Sequence, residues 1–252
     1  ISGGGLTSVS TTAVNVSPAA AAQLVVIAQP PAGVVAGSAF GLTVAAVDRF
    51  GNWVPGWNGV ASAALASNPA GGTLSGVPYA SAVQGVATFS GLTITTAGAG
   101  YTLQLGSLGL TPATTAALTV VPGAPVRMVV SSPQPASVVV GAGFSVTVTI
   151  QDWFGNTATS YNGRVAVLLA PHAGKGRLGG TIITTATGGV ATFSNLKVSA
   201  TGWNDRLIVW ANGLPAAVTT PFNVINAPKV LIRTRPVRAV ISRGPTSMTR
   251  RR

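Results

Sequence analysis

Residues 39–47, Ala-Phe-Gly-Leu-Thr-Val-Ala-Ala-Val, alternate large apolar with small or polar side chains. Farther along, Phe144, Val146, Val148 and Ile150 hold the same phase. Period two over about eight residues predicts a strand with one face in a core and one in water. Five further runs read as strands: 23–28, 59–66, 85–94, 101–106 and 113–121. Gly71-Gly72 and Gly98-Ala99-Gly100 punctuate them, and Asp-x-Phe-Gly-Asn ends the first, where Gly and Asn supply the freedom a turn needs. About seven short strands per ~100 residues, with turns every 8–12, predict an antiparallel β-sandwich.

The pattern occurs twice, at an offset of 104 residues. Asp48-Arg49-Phe50-Gly51-Asn52 returns as Asp152-Trp153-Phe154-Gly155-Asn156, and Gly85-Val86-Ala87-Thr88-Phe89-Ser90 as Gly189-Val190-Ala191-Thr192-Phe193-Ser194. Gly98 matches Gly202, and Gly109-Leu110 matches Gly213-Leu214, without an insertion. A fixed period signals one structural unit in tandem. The expected division is two repeats, 22–121 and 126–225. Gly5-Leu6-Thr7, Val16 and Pro18 match Gly109-Leu110-Thr111, Val120 and Pro122, so residues 1–19 are expected to be the last strand of a preceding repeat. Val230 falls in register with Val126, which makes the start of the basic segment 229–252 a candidate donated strand.

Val-x-Asp-x-Phe-Gly-Asn, then Gly-Val-Ala-Thr-Phe-Ser-x-Leu, then Gly-Leu before a Val-rich strand resembles the bacterial immunoglobulin-like repeats of invasin/intimin type. The likeness spans roughly residues 1–227. It implies an all-β fold, two tandem antiparallel immunoglobulin-like sandwiches with an orphan strand at each end. It also implies an exported protein, extracellular or at the cell surface, whose modules act as stalks and spacers. Tyr101 resembles the tyrosine near the start of the sixth strand in such sandwiches, whereas the second copy has Asp205 in register.

Apolar residues make up 47% of the chain and charged residues only 7%. With no cysteine, disulfides, thiolate metal sites and cysteine nucleophiles are excluded. No apolar run reaches the ~18–20 residues of a transmembrane helix. The net charge of +12 is a local property. Residues 1–227 hold seven of the fifteen basic side chains and all three acids; the other eight basic residues fall in 228–252 with no acid.

Chemistry has little to work with. Asp48 and Asp152 lie one repeat apart, and each is expected to order its own turn through side-chain to backbone bonds. The chain offers His172, Asp48, Asp152 and Asp205 and no Glu; with no acid near His172 in sequence no triad is indicated, and three scattered aspartates do not make a cage for a hard cation. No cofactor is expected. Gly174-Lys175-Gly176 lacks the rest of a phosphate-binding loop. His172, Lys175 and Arg177 replace Asn68, Gly71 and Thr73, a weak candidate anion contact in an otherwise solvated loop. Trp53 and Trp57 flank a turn and are candidates for stacking on a sugar; Trp57 matches Tyr161, which favours packing, and packing is likewise expected of Trp203 and Trp210. In the basic segment, Val230, Ile232, Arg233, Arg235, Arg238 and Arg243 mix β-formers with arginine. They are candidates for strand donation to another subunit or for contact with a polyanion. No aromatic interleaves with them, so sequence-specific nucleic-acid recognition is not expected.

Short Pro-rich joints, Val121-Pro122-Gly123-Ala124-Pro125 among them, favour stiff connections. The function expected is a non-enzymatic structural module of an extracellular fibre, stalk or surface layer, its partners other copies of itself or the rest of a repeat array. An adhesin that binds glycan or an anionic polymer, or a virion decoration protein, is the alternative.

Overall fold

The computed structural model describes residues 12–171 and 175–228. The described residues form strands joined by turns and no helix. In the first half these are β1 (Gln23–Ala28), β2 (Gly33–Val35), β3 (Phe40–Val47), β4 (Val60–Ser67), β5 (Leu74–Ser75), β6 (Tyr79–Ser81), β7 (Val86–Ile94), β8 (Gly98–Ser107), β9 (Leu110–Thr114) and β10 (Leu118–Val121). In the second half they are β11 (Arg127–Ser132), β12 (Ser137–Val139), β13 (Phe144–Gln151), β14 (Arg164–Leu169), β15 (Leu178–Gly179), β16 (Ile183–Thr185), β17 (Val190–Val198), β18 (Gly202–Asp205), β19 (Leu207–Ala211), β20 (Leu214–Val218) and β21 (Phe222–Ile225). Each second-half strand starts 104 residues after its counterpart, except that β8 corresponds to β18 and β19 together.

Two layers face each other in each half. One is β1-β3-β7-β5, all antiparallel, and its counterpart is β11-β13-β17-β15. The other centres on β8, which pairs β4 and β9 along its second half and β10 along its first; β6 adds beside β4, and β2 lies parallel to β10. A single bridge between Gln23 and Thr111 joins the two layers at one edge. Between them lies an apolar cluster that includes Leu42, Val44, Ala61, Phe89, Leu92, Leu103 and Leu105. The second cluster draws on Val146, Val148, Ile150, Val165, Phe193, Leu196, Leu207 and Val209. Every second residue of β13 enters the core, as the alternation predicted.

Three details depart from simple alternation. In β7 the buried positions run 87, 89, then 92, 94. The odd step is absorbed at a bulge where Gly91 takes φ 71°, and Asn195 takes φ 53° at the same place in β17. The expected strand 113–121 is two strands. Between them Thr115 replaces a ladder carbonyl: its Oγ1 accepts from Leu103 N at 3.0 Å while its own N donates to Leu103 O at 2.9 Å. Thr219 and Leu207 repeat this arrangement. The offset lets the chain leave the second half of β8 and pair with its first. Finally, Tyr101 is fully buried and donates its hydroxyl to Thr96 O at 2.9 Å, which pins the start of β8. Burial raises its pKa, and a hydrogen bond from the Gly72 backbone opposes the rise. The second half has buried Asp205 there, and its strand is broken after that residue into β18 and β19.

Candidate functional site

The Asp-x-Phe-Gly-Asn turns are the most elaborately bonded polar features. Gly51 and Gly155 adopt φ 87° and 91°, which closes the turn behind each aspartate. Asp48 Oδ1 accepts from Phe50 N and Asn52 N, each at 2.9 Å. Its Oδ2 accepts from Asn52 Nδ2 and from Ala19 N, each at 3.0 Å. Asp152 does the same with Phe154 N, Asn156 N, Asn156 Nδ2 and Gly123 N at 2.8–2.9 Å. Each carboxylate therefore ties its own turn and also clamps the connecting segment before its sandwich. The sequence pointed to the first role and not the second.

Burial alone would push the Asp48 carboxyl up. The bonds donated by the Asn52 side chain and by the Asn52, Ala19 and Phe50 amides outweigh it and hold the pKa down at about 2, from 3.8. Asp152 is lowered as well, with burial opposed by the Asn156 side chain and by the Gly123, Asn156 and Phe154 amides. Carboxylates held ionised by saturated acceptor positions are poor general acids.

Asn156 also reaches the first half of the chain. Its Nδ2 donates to Thr95 O at 2.8 Å, and its Oδ1 accepts from Ala97 N at 2.9 Å. The adjacent Phe154 ring lies on Gly37, where a Cβ would overlap it. Gly37 has φ 77° and donates its N to Ile94 O, so ring and glycine meet on the rim formed by the end of β7 and the turn after β2. This contact joins the two sandwiches through side chains as well as through the proline-rich connection.

The tryptophans separate into two kinds. Trp57 packs against the first core with its indole over Gly59, and Tyr161 covers Gly163 in the same way. Trp53 is half exposed beside Gly85. The two indoles thus do not form an exposed pair. Instead, Trp53 closes a shallow apolar hollow of about 330 Å³ with Val25, Ile27, Ala45, Val47 and Val86. Ser131, Thr149, Gln151 and Thr157 occupy the positions of Ile27, Ala45, Val47 and Trp53 in the second sandwich, where Thr149 Oγ1 donates to Ser131 Oγ at 2.9 Å. The strip belongs to the first sandwich only. Comparing outward-facing positions of the two copies would have revealed it in the sequence. Trp203 and Trp210 do not pack inward as expected: both stand more than half exposed. Trp210 edges an open groove of about 490 Å³ with Tyr161, Arg164, Ile183 and Asn212.

Lys175 and Arg177 are exposed, and Arg177 is held through its backbone, N to Ser199 Oγ at 2.9 Å and O to Ser199 N at 3.1 Å. The hollow beside Arg177, about 400 Å³, is walled by Val167, Leu168, Leu169, Leu178 and Ile182, an aliphatic lining that offers an anion little. In the first sandwich Asn68 clasps Gly72 through both backbone groups, at 2.7 and 2.8 Å. His172 lies outside the described residues, as do Val230, Ile232, Arg233, Arg235, Arg238 and Arg243. Among the described residues no three His, Asp or Glu side chains gather to hold a metal ion. No helix among them is long and apolar enough to cross a membrane.

No family model and no curated protein matches the chain. Among solved structures, the adhesin FdeC of Escherichia coli is 24% identical, with 83% of this chain and 65% of that chain covered and a TM-score of 0.40. Domains 4 and 5 of the S-layer protein SbsC are 17% identical, with 83% and 100% covered and a TM-score of 0.34. A glycosyl hydrolase family 2 member from Bacteroides cellulosilyticus is 14% identical, with 75% and 23% covered and a TM-score of 0.35. The chain thus spans just under two thirds of the adhesin chain and about a quarter of the hydrolase.

Proposed function

We propose that this chain is a non-enzymatic spacer: tandem immunoglobulin-like repeats, 22–121 and 126–225, in an extracellular fibre, stalk or surface layer. One observation carries the reading. Asp48 and Asp152, two of the three acidic side chains, are committed to clamping the segment that enters each sandwich. Groups that another protein would use for chemistry here fix the joints. A spacer needs stiff joints and units that resist tension, and antiparallel sandwiches resist it through ladders of backbone hydrogen bonds. Single-molecule pulling from both ends tests this. Two unfolding events are expected, each releasing about 300 Å of chain, as ~100 residues at ~3.4 Å apiece require once the folded length is subtracted. Extension without resistance would remove the proposal. Assembly by strand exchange through 1–19 and 229–243 is part of the same proposal. Deletion of 229–252 then abolishes polymerisation, and unchanged filaments by electron microscopy would refute that part.

The apolar strip at Trp53 favours a second reading, an adhesive module, because the second copy carries Ser131, Thr149, Gln151 and Thr157 where the first groups Ile27, Ala45, Val47 and Trp53. Glycan and protein arrays with the wild-type chain, Trp53→Ala and Trp210→Ala decide it. Binding lost with either substitution supports adhesion; binding indifferent to both excludes these faces.

A further inference from the structure

The joint between the two sandwiches has two complementary halves, and each half recurs without such a partner among the described residues. The plug is Phe154 with Asn156, and the rim it meets is Gly37 with the backbone of Thr95 and Ala97. At an offset of 104, the plug recurs as Phe50 with Asn52 and the rim as Gly141 with Ser199 and Thr201. Phe50 is 68% exposed against 47% for Phe154, and the Arg49 guanidinium lies over its ring, 4.5 Å from the centroid. Among the described residues, Asn52 spends its side-chain amide on Asp48 alone. The open rim keeps the required backbone: Gly141 has φ 74°, its N donates to Val198 O as Gly37 N does to Ile94 O, and a Cβ at Gly141 would meet nothing within 4 Å.

A second observation says what covers the plug. Val14 and Val16 stand in register with Leu118 and Val120 of β10. The latter are each 1% exposed in the core, whereas Val14 and Val16 are 82% and 89% exposed. Residues 12–17 carry the pattern of a last strand without its sandwich. They lead into Ala19, whose N is clamped by Asp48 as Gly123 N is by Asp152. The connecting segment therefore enters both sandwiches along the same path, and a body edged by residues 12–17 would lie where Phe50 points.

We infer that Phe50 and Asn52 form a docking face for the rim of another sandwich of this kind, one that residues 12–17 complete as its last strand. The rim partners of Asn156 are backbone groups, so recognition asks of the neighbour only a glycine under the ring and a free carbonyl and amide beside it. The inference rests on the repeat-array reading, and its test is independent of where the protein resides.

The experiment extends the full chain by placing a copy of its own residues 20–115 directly before residue 12. Residues 12–17 then follow residue 115 in the register of 116–121. Hydrogen exchange and ¹⁵N relaxation are recorded on the extended and parent chains. The expected result is at least tenfold slower exchange in the strand carrying Val14 and Val16, with the added sandwich tumbling together with its neighbour. In the extended chain, Phe50→Ala with Asn52→Ala frees the added sandwich while leaving the strand protected. Phe154→Ala with Asn156→Ala frees the existing joint as a control. An unprotected strand, or a protected strand on a sandwich that tumbles freely without any substitution, overturns the inference. Failure of the pulling experiment alone would instead count against the spacer role.

Discussion

Asn156→Ala and Asn52→Ala form a matched pair that isolates the strength of the joint. Each removes a side-chain amide that donates to the aspartate of its own turn. Only Asn156 also makes two bonds to the first sandwich, at 2.8 and 2.9 Å, to Thr95 O and Ala97 N. A hydrogen bond of this kind contributes about 0.5–1.5 kcal/mol net. The two together are therefore expected to couple the sandwiches by about 1–3 kcal/mol, with partial exposure favouring the lower half. Equilibrium urea unfolding, followed separately through tryptophan fluorescence and through amides of each half, measures this. Asn52→Ala should destabilise the first sandwich by the internal loss alone and leave the coincidence of the transitions unchanged. Asn156→Ala should cost the additional ~1–3 kcal/mol and move the two transitions apart. Equal costs, with transitions as coincident as in the parent, would mean that Asn156 couples nothing and that the proline-rich connection alone sets the geometry.

Acid unfolding should be unusually simple, because the side-chain carboxyls are three aspartates. A folded pKa held below its unfolded value stabilises the protein above the unfolded pKa, and that contribution fades as pH falls through the folded one. Stability should therefore decline between about pH 4 and pH 2, the window set by Asp48 at about 2 and by the lowered Asp152. Asp48→Asn with Asp152→Asn should be less stable at neutral pH and nearly flat across that window; a slope as steep as the parent's would contradict the clamp. Tyr101→Phe should cost about 1 kcal/mol in thermal unfolding by stranding Thr96 O, and a cost near zero would show that the hydroxyl bond is idle. Thr115→Val should cost about 1–3 kcal/mol because the buried Leu103 N loses its acceptor, and hydrogen exchange at Leu103 should rise. Gly41→Ala puts a Cβ 2.5 Å from Phe89 O in the middle of a sheet, so a loss of about 1–3 kcal/mol is expected, while an unchanged melting temperature would contradict the β3–β7 register.

The alternation at 39–47 and 144–150 was enough to place β3 and β13, because every second residue of each enters a core; the other face of β3 is itself covered at Ala45 and Val47, which the alternation did not show. The 104-residue offset carried the correspondence of nearly every other strand. The short strands β2, β5 and β6 were not legible: two or three residues carry no period, and they exist only because a neighbour's edge is open to them. The split of 113–121 hides behind Thr115, which reads as an ordinary β-former until its hydroxyl is seen serving the ladder. At the joint, Asn52 and Asn156 close the same Asp-x-Phe-Gly-Asn motif, and only the three-dimensional neighbour decides that one of them bridges. Trp203 and Trp210 show the opposite failure. Large aromatic side chains suggest burial, but exposure follows from which face of the strand they occupy, and the core positions beside them were already filled.

Residual dipolar couplings from backbone amides of 22–121 and 126–225, recorded in one weakly aligning medium, measure whether the sandwiches are held as one body. A joint fixed by Asn156, Phe154 and the clamp at Gly123 predicts one alignment tensor for both halves, with the second set reduced and reoriented in Asn156→Ala. Two unrelated tensors in the unaltered chain would show sandwiches moving independently and would contradict a spacer built on rigid joints.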